Sequence, residues 1–575
     1  MNFNQFYNFF KRKEKLNILL LFVAMFIASI LEILGIGLIF PISGIILETF
    51  NTDTNKYTNL FKDYLNISSE NLIFYSFLIL LSVYFIKILF LIWYSFFQAR
   101  FIFFFKEKIS SSLFKNYLNQ NFDFFHGRNS AEFLRNMTEE VDYFSNYLLS
   151  FLRVCLESLV IIFTICLLVF LNPIISFSVF SVFGIISIIY FYALRNKLSR
   201  WGKERQVNKK ETLQFAQEGF ESLNYIKFLG KENYFFKKFK EKNFGIAVLN
   251  IKANIVRELP RYIFEFIGIF SILMIFYIYF QKNVNTGEII QILTVYVAAS
   301  FRVLPSINKI LVGASTMKFC APSINILSDE FKNFKSEKED LNGQSQINFN
   351  KNINLKIKIF KFKDKRDFDL SNINIEIEKN DKIGIIGKTG CGKSTIIQMI
   401  IGIIKGSEVE VCVDNKVINS QTRSWQNLIC YVPQKIYVLD DTLKKNILFG
   451  KTEQEVGEEK IMSLVKITSL EKLVSQLPQG INTRIGEKGH NLSGGEIQRI
   501  AICRALLQEQ QIIVLDEATS SLDDHTSEKI IKYIFELKNK TVIFVSHKYQ
   551  SLKKCDKVYS VDKGKVEQVK SFGLN

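Results

Sequence analysis

The sequence predicts an α-helical membrane domain fused to an α/β domain. Three observations carry that reading. Long apolar segments crowd the chain up to residue 330 and none recurs after it. Beyond residue 347 short runs of alternating polarity appear instead, such as Ile353 to Ile359 and Ile373 to Ile377, as strands require. One fully apolar run there, Ile383 to Ile386, leads into a glycine-rich loop and then an apolar helix start. The 575 residues suffice for several domains at ~100–200 residues each. A hydrophobic content of 48% excludes intrinsic disorder. Eight Cys without CxxC spacing exclude a disulfide-stapled secreted domain.

Crossing the bilayer core takes ~20 mostly apolar residues. Six segments qualify: 16–46, 71–98, 146–171, 174–195, 259–281 and 288–318. The first is too long for a signal-peptide core and lacks a small-residue cleavage site, so it reads as a retained span. Asn172-Pro173 reads as a tight hairpin between the third and fourth. Bases mark the N-terminus (Lys11, Arg12, Lys13, Lys15) and the stretch after the fourth span (Lys197 to Lys238). The positive-inside rule then puts both termini and the second domain in the cytoplasm. It also explains much of the net charge of +18 by topology, so no nucleic-acid partner is expected. Segments 99–145 and 196–258 are polar with recurring apolar positions, and read as helices that carry the spans into the cytoplasm; ordinary helical loops are the alternative. In 47–70, Tyr57, Leu60, Phe61 and Tyr64 share one helical face, suited to the outer interface or to packing on the protein. The domains expected are 1–330 in the membrane, a polar linker 331–346, and 347–575.

The chemistry lies in the second domain. Gly387-Lys388-Thr389-Gly390-Cys391-Gly392-Lys393-Ser394 is a complete GxxxxGK[ST] loop, followed by Thr395 and placed between strand and helix as the motif requires. Its backbone N–H groups and the helix start suit phosphate oxygens. Lys393 would reach the β- and γ-phosphates, and Ser394 would ligate Mg²⁺. A second apolar strand, Ile512 to Leu515, ends in Asp516-Glu517. Asp516 suits the Mg²⁺ shell and Glu517 a base for attack on the γ-phosphate, unless the pair only caps a helix. Ser493-Gly494-Gly495-Glu496 opens another helix, a second phosphate-binding start. Two such starts far apart in one chain fit a nucleotide clamped between two copies. His126, His490 and His525 carry no motif, and Cys391 reads as a small filler in its loop.

These residues resemble the ATP-binding cassette (ABC) transporters. Gly387 to Ser394 looks like Walker A, Ile512 to Glu517 like Walker B with its catalytic glutamate, and Leu492 to Glu496 like the signature, with Glu496 where Gln is usual. Gln434, after Tyr431-Val432-Pro433, looks like the Q-loop glutamine that senses Mg²⁺ and the membrane domain. Asp523 closes a D-loop-like Ser520 to Asp523, and His547 matches the switch histidine. Phe362 falls where an aromatic stacks on adenine, although the spacing is irregular. Asn129 to Asn136 resembles the segment beside the first coupling helix of exporters. The resemblance implies an exporter-type half-transporter, a homodimer with two composite sites for ATP and Mg²⁺, closing on ATP and reopening on hydrolysis.

Charges inside spans tend to face a cavity. Lys87, Arg261 and Arg302 lie in or beside spans two, five and six. They suit an anionic cargo, or else snorkel or pair with Glu32, Glu157 or Glu265. The surroundings of all three, and the 55–67 stretch, resemble the bacterial lipid-linked oligosaccharide flippases. That resemblance implies an inner-membrane flippase moving a polyprenyl-pyrophosphate-linked oligosaccharide to the outer leaflet for glycosylation. Lys87, Arg261 and Arg302 would then form the pyrophosphate belt, and Tyr57, Leu60, Phe61 and Tyr64 the face that meets the lipid tail. The alternatives are a general lipid or drug exporter and a non-transporting, membrane-anchored ATPase regulator.

Overall fold

A computed structural model describes residues 12–39, 42, 69–120, 122–125, 128–171, 173–281, 286–334, 347–361, 369–404, 406–418, 423–486 and 492–569. The chain divides into two compact units. One comprises 1–119 with 127–336, and the other 120–126 with 337–575.

The first unit is helical, as a bilayer demands: with no water in hydrocarbon, each span must satisfy its backbone groups internally. Its long helices are α1 (Arg12–Gly37), α2 (Ser69–Leu118), α5 (Val141–Leu171), α6 (Pro173–Glu221), α8 (Glu232–Gln281) and α9 (Thr286–Asn333). Short helices α4 (Ser130–Arg135) and α7 (Leu223–Leu229) sit between them, and α3 (Phe122–Phe125) falls in the second unit. A π-helical turn, Asn136–Glu140, joins α4 to α5.

At ~1.5 Å per residue the 50-residue α2 is ~75 Å long, against a hydrocarbon core of ~30 Å. The spans therefore continue beyond the membrane, as the polar segments 99–145 and 196–258 predicted. The turn within 196–258 takes a definite form. Ser222 precedes α7, and Gly230, at φ 59°, closes it in the left-handed region that glycine accepts without a Cβ penalty.

Among the described residues four stretches are long and apolar enough to cross a membrane: Glu14–Gly35, Phe74–Leu118, Ser130–Phe170 and Ala299–Asn333. The predicted spans 174–195 and 259–281 lie within α6 and α8. Helix α1 is followed by further helical backbone at Ile39 and Ile42, with the Ile42 N–H donating to the Leu38 carbonyl, and α9 runs to Asn333, three residues past residue 330. Pro260, Pro305 and Pro322 sit inside helices, where lost backbone bonds are made good by neighbours in a packed bundle. Helices α6 and α9 touch closely: a Cβ on Gly202 would stand 2.3 Å from the Phe319 carbonyl oxygen, so only glycine fits there.

Among its described residues the second unit holds ten strands: β1 (Asn352–Lys361), β2 (Asp369–Glu378), β3 (Lys382–Gly387), β4 (Val409–Val413), β5 (Lys416–Val417), β6 (Ile429–Val432), β7 (Ile512–Asp516), β8 (Thr541–Val545), β9 (Lys557–Asp562) and β10 (Lys565–Val569). Strands β2-β1-β4-β5 make an antiparallel sheet. The other sheet runs β10-β9-β3-β8-β7-β6 and is parallel from β9 to β6. β7 and β8 are buried at every residue, which is why they read as unbroken apolar runs rather than alternating ones. The helices that matter for the site are α10 (Lys393–Ile400), α11 (Gly494–Leu506) and α12 (Asp524–Glu536).

Candidate functional site

Parallel strands deliver their carboxyl ends to one edge, where α/β sheets bind ligands. Four neighbours, β3, β8, β7 and β6, end there. The Walker-like loop follows β3, Ser546 and His547 follow β8, Asp516 and Glu517 end β7, and Gln434 follows β6. Sequence segments up to 160 residues apart thus meet because their strands are adjacent in register.

The loop is held by its glycines. A Cβ on Gly387 would lie 2.3 Å from the Val561 carbonyl oxygen, and Gly392 adopts φ 107°. Lys388, Thr389 and Gly390 are exposed at the tip, while Cys391 is 7% exposed and packs with the core beneath, as a filler would. The Lys393 ammonium is 5% exposed and donates to the Gly387 and Lys388 carbonyls at 2.8 and 3.0 Å. Ser394 Oγ donates to Asp516 Oδ1 at 3.4 Å, and Thr395 is half-buried one residue on.

Glu517 is the hub. Its carboxylate accepts from Gln434 Nε2 at 2.7 Å, lies 2.5 Å from His547 Nε2, and stands 3.9 Å from Lys393 Nζ. The residue itself has φ 52°, a conformation that L side chains adopt at a cost and that clusters at functional sites. Asp516 beside it is 1% exposed, and burial pushes its carboxyl above the usual carboxylate range, against the pull of the Ser394 hydroxyl. His525, which carried no motif, lines a cleft of about 700 Å³ together with Glu517, His547 and several lysines.

The signature-like segment caps α11. Ser493 Oγ accepts from the Glu496 backbone N–H, and the Glu496 carboxylate accepts from the Ser493 N–H at 2.7 Å and its hydroxyl at 2.8 Å. Glu496 thus completes a capping box, a role Gln fills equally well. Gly495 packs on the D-loop, where a Cβ would sit 3.0 Å from Ser521 O. Gln498, one turn on, ties that loop down through Ser520 Oγ and the Ser521 N–H. Sequence reading missed Gln498; its position one helical turn past the glycines is the signal. Asp523 caps α12 by accepting from the Thr526 N–H, which holds its carboxyl below the usual range. Phe362 lies outside the described residues, as do Tyr57, Leu60, Phe61 and Tyr64.

The membrane cations separate into two places. Lys87 Nζ lies 2.8 Å and Arg302 Nε 3.1 Å from the same Glu32 oxygen. Arg302 also reaches Glu157 at 3.3 Å, and Lys309 reaches Glu157 at 2.7 Å. Helices α1, α2, α5 and α9 are thereby joined by three cations on two carboxylates, with Ser306 donating to Glu157. Arg261 is elsewhere. It pairs with Glu265 one turn along α8, and both are more than half exposed. Lys87 and Arg302 thus share one network with Lys309, and Arg261 lies outside it.

Comparison with known proteins agrees. The model for the ABC transporter transmembrane region matches residues 18–302, and that for the ABC transporter matches 370–520. A "Putative export ATP-binding/permease protein" of Rickettsia bellii is 29% identical over 515 residues, covering 82% of this chain and 83% of that one. Its namesake in Rickettsia felis is 40% identical over 186 residues, a match spanning 32% of either chain. Among solved structures, a bacterial Atm1-family ABC exporter with ATP bound superposes with a TM-score of 0.78 over 96% of this chain and 95% of that one, at 16% identity. The chain belongs to the ABC transporters as an exporter-type half-transporter, a helical transmembrane domain and one cassette, whose ATP hydrolysis is coupled to transport.

Proposed function

We propose that the protein flips a polyprenyl-pyrophosphate-linked oligosaccharide to the outer leaflet of a bacterial inner membrane, working as a homodimer with its cassettes in the cytoplasm. The observation that carries this is the meeting of Lys87 and Arg302 on Glu32 among membrane helices. Cations are costly there and mark cargo paths. An Arg fork matches phosphate oxygens. The network holds three cations and two carboxylates, so it carries a net positive charge that a pyrophosphate would neutralise. Arg261, exposed on α8, would be a separate contact for the same headgroup.

In the cassette, ATP would lie along Gly387 to Ser394, and Lys393 would exchange its carbonyl partners for phosphate oxygens. Ser394 and Asp516 offer the hard oxygen donors that suit Mg²⁺, with Gln434 beside them. Mg²⁺ supplies charge neutralisation on the phosphates when bound. Glu517 takes the proton of the attacking water, and His547 and Gln434 orient its carboxylate. The partner's Ser493 hydroxyl and glycine N–H groups complete the site.

A general lipid or drug exporter is the second reading. It is favoured by the same network, since Glu32 and Glu157 already pair with the cations. Joint neutralisation of Lys87, Arg261 and Arg302 separates the two. The flippase reading expects flipping to stop while basal ATPase persists, and unchanged flipping would remove the pyrophosphate role.

A further inference from the structure

We infer that Arg205 and Arg257 form a binding site for a phosphate-type oxyanion in the seam between α6, α8 and α9. Arg205 is 2% exposed, and its two terminal guanidinium nitrogens have no hydrogen-bond partner. The Nε of Arg257 is likewise buried without one. No ion pair among the described residues engages either side chain, in contrast to Lys87, Arg302 and Lys309 in the same unit.

The two guanidinium groups flank one ring. Arg205 lies 4.9 Å and Arg257 5.2 Å from the Phe319 centroid, and Arg205 stacks on Tyr143 at 3.3 Å. Aromatic faces attract a guanidinium but leave its in-plane N–H donors unmet. The nearby carboxylate is already engaged: Glu140 pairs with Arg135 and accepts from Gln206. Arg cannot shed its proton, so burying two such groups together is costly unless an anion pairs with them. An oxyanion accepting from both forks removes the orphaned donors and the repulsion at once.

Depth suggests where such an anion is found. Along α8, Arg257 stands ~36 Å from Gln281, past a hydrocarbon core of ~30 Å and level with lipid headgroups. Free phosphate and the phosphate of an anionic lipid, whose charge no choline offsets, present the same oxygens there.

The test uses the full-length protein carrying Lys393→Ala, so that phosphate does not act through the Walker loop. Thermal unfolding is followed in neutral detergent against inorganic phosphate at constant ionic strength, and in phosphatidylcholine nanodiscs with and without phosphatidylglycerol. Ligand binding to the native state raises the midpoint, by a few degrees at saturation. A rise with inorganic phosphate assigns a soluble anion, and a rise with phosphatidylglycerol alone assigns a headgroup. R205Q/R257Q should lose the rise. Cys320 is buried within electrostatic reach of both arginines, so Cys320→Asp supplies an internal anion. It should raise the midpoint without phosphate and cancel the response to it. No rise from either phosphate source, the same rise in R205Q/R257Q, or a lowered midpoint in Cys320→Asp overturns the site. Should R205Q/R257Q fail to fold, Cys320→Asp decides.

Discussion

The cassette and the membrane domain both gather charged side chains from distant sequence, but they do so in opposite ways. In the cassette, parallel strands bring Asp516, Glu517, His547 and Lys393 to one edge, where Gln434 and His547 hold Glu517 while Asp516 meets the Ser394 hydroxyl only at 3.4 Å and Lys393 stays 3.9 Å from Glu517. Lys393 is kept by two backbone carbonyls, which a phosphate can replace. In the membrane, Lys87, Arg302 and Lys309 are bound by Glu32 and Glu157, which are 8% and 2% exposed. The cassette site is open to its ligand, whereas the membrane cluster is closed on itself. Such a cluster recognises an anion only by giving up one of its own carboxylates.

The comparison breaks most sharply at Glu517. Glu517→Gln keeps the hydrogen-bonding shape but removes the base, so phosphate release should fall ~10²-fold or more while ATP stays bound. Near-normal turnover in a phosphate-release assay would contradict its role. Next, Glu32→Gln frees Lys87 and half of Arg302. If the membrane cluster opens by losing a carboxylate, a polyprenyl pyrophosphate should stimulate the ATPase at several-fold lower concentration than in the wild type. An unchanged dose response would mean that the cluster is only structural.

The other effects are smaller. Burial raises the Asp516 carboxyl, so its charged form, the one that would hold Mg²⁺, is lost at a higher pH than for an ordinary aspartate as pH falls. Apparent Mg²⁺-ATP affinity should therefore weaken on mild acidification, and Asp516→Asn should bind weakly with that pH dependence gone. The sign for stability is the reverse. The raised carboxyl disfavours the folded state above its titration range, and that cost is relieved as pH falls. Glu496→Gln keeps the capping box and removes a charge beside the Ser493 hydroxyl. The apparent KM for ATP should drop by no more than a few-fold, with thermal stability unchanged.

The contrast also explains what could be read from the sequence. The Walker-like loop was legible because local geometry fixes its use: only glycine fits at Gly387, and strand, loop and helix follow one another. Glu517, His547 and Gln434 were legible as fragments, each at the end of a strand; the strand order that unites them is not written locally. The spans were legible as apolar runs, but their ends were not. Helix α9 runs on through Asp329, Glu330 and Lys332 to Asn333, so the change to polar residues marks no stop. The cation cluster was only half legible. Lys87 and Arg302 stand out by charge, yet Arg261 looked equal to them until the fold set it apart with Glu265. Arg205 and Arg257, among many neighbouring bases, had nothing to mark them.

The most direct test is transport by the reconstituted protein. Proteoliposomes are given a fluorescent polyprenyl-pyrophosphate oligosaccharide or a neutral hydrophobic drug, with ATP, and the movement of each across the bilayer is measured against Glu517→Gln. The account predicts ATP-dependent flipping of the oligosaccharide lipid, none in Glu517→Gln, and little movement of the drug. Drug movement with ATP and a stationary oligosaccharide lipid would contradict it.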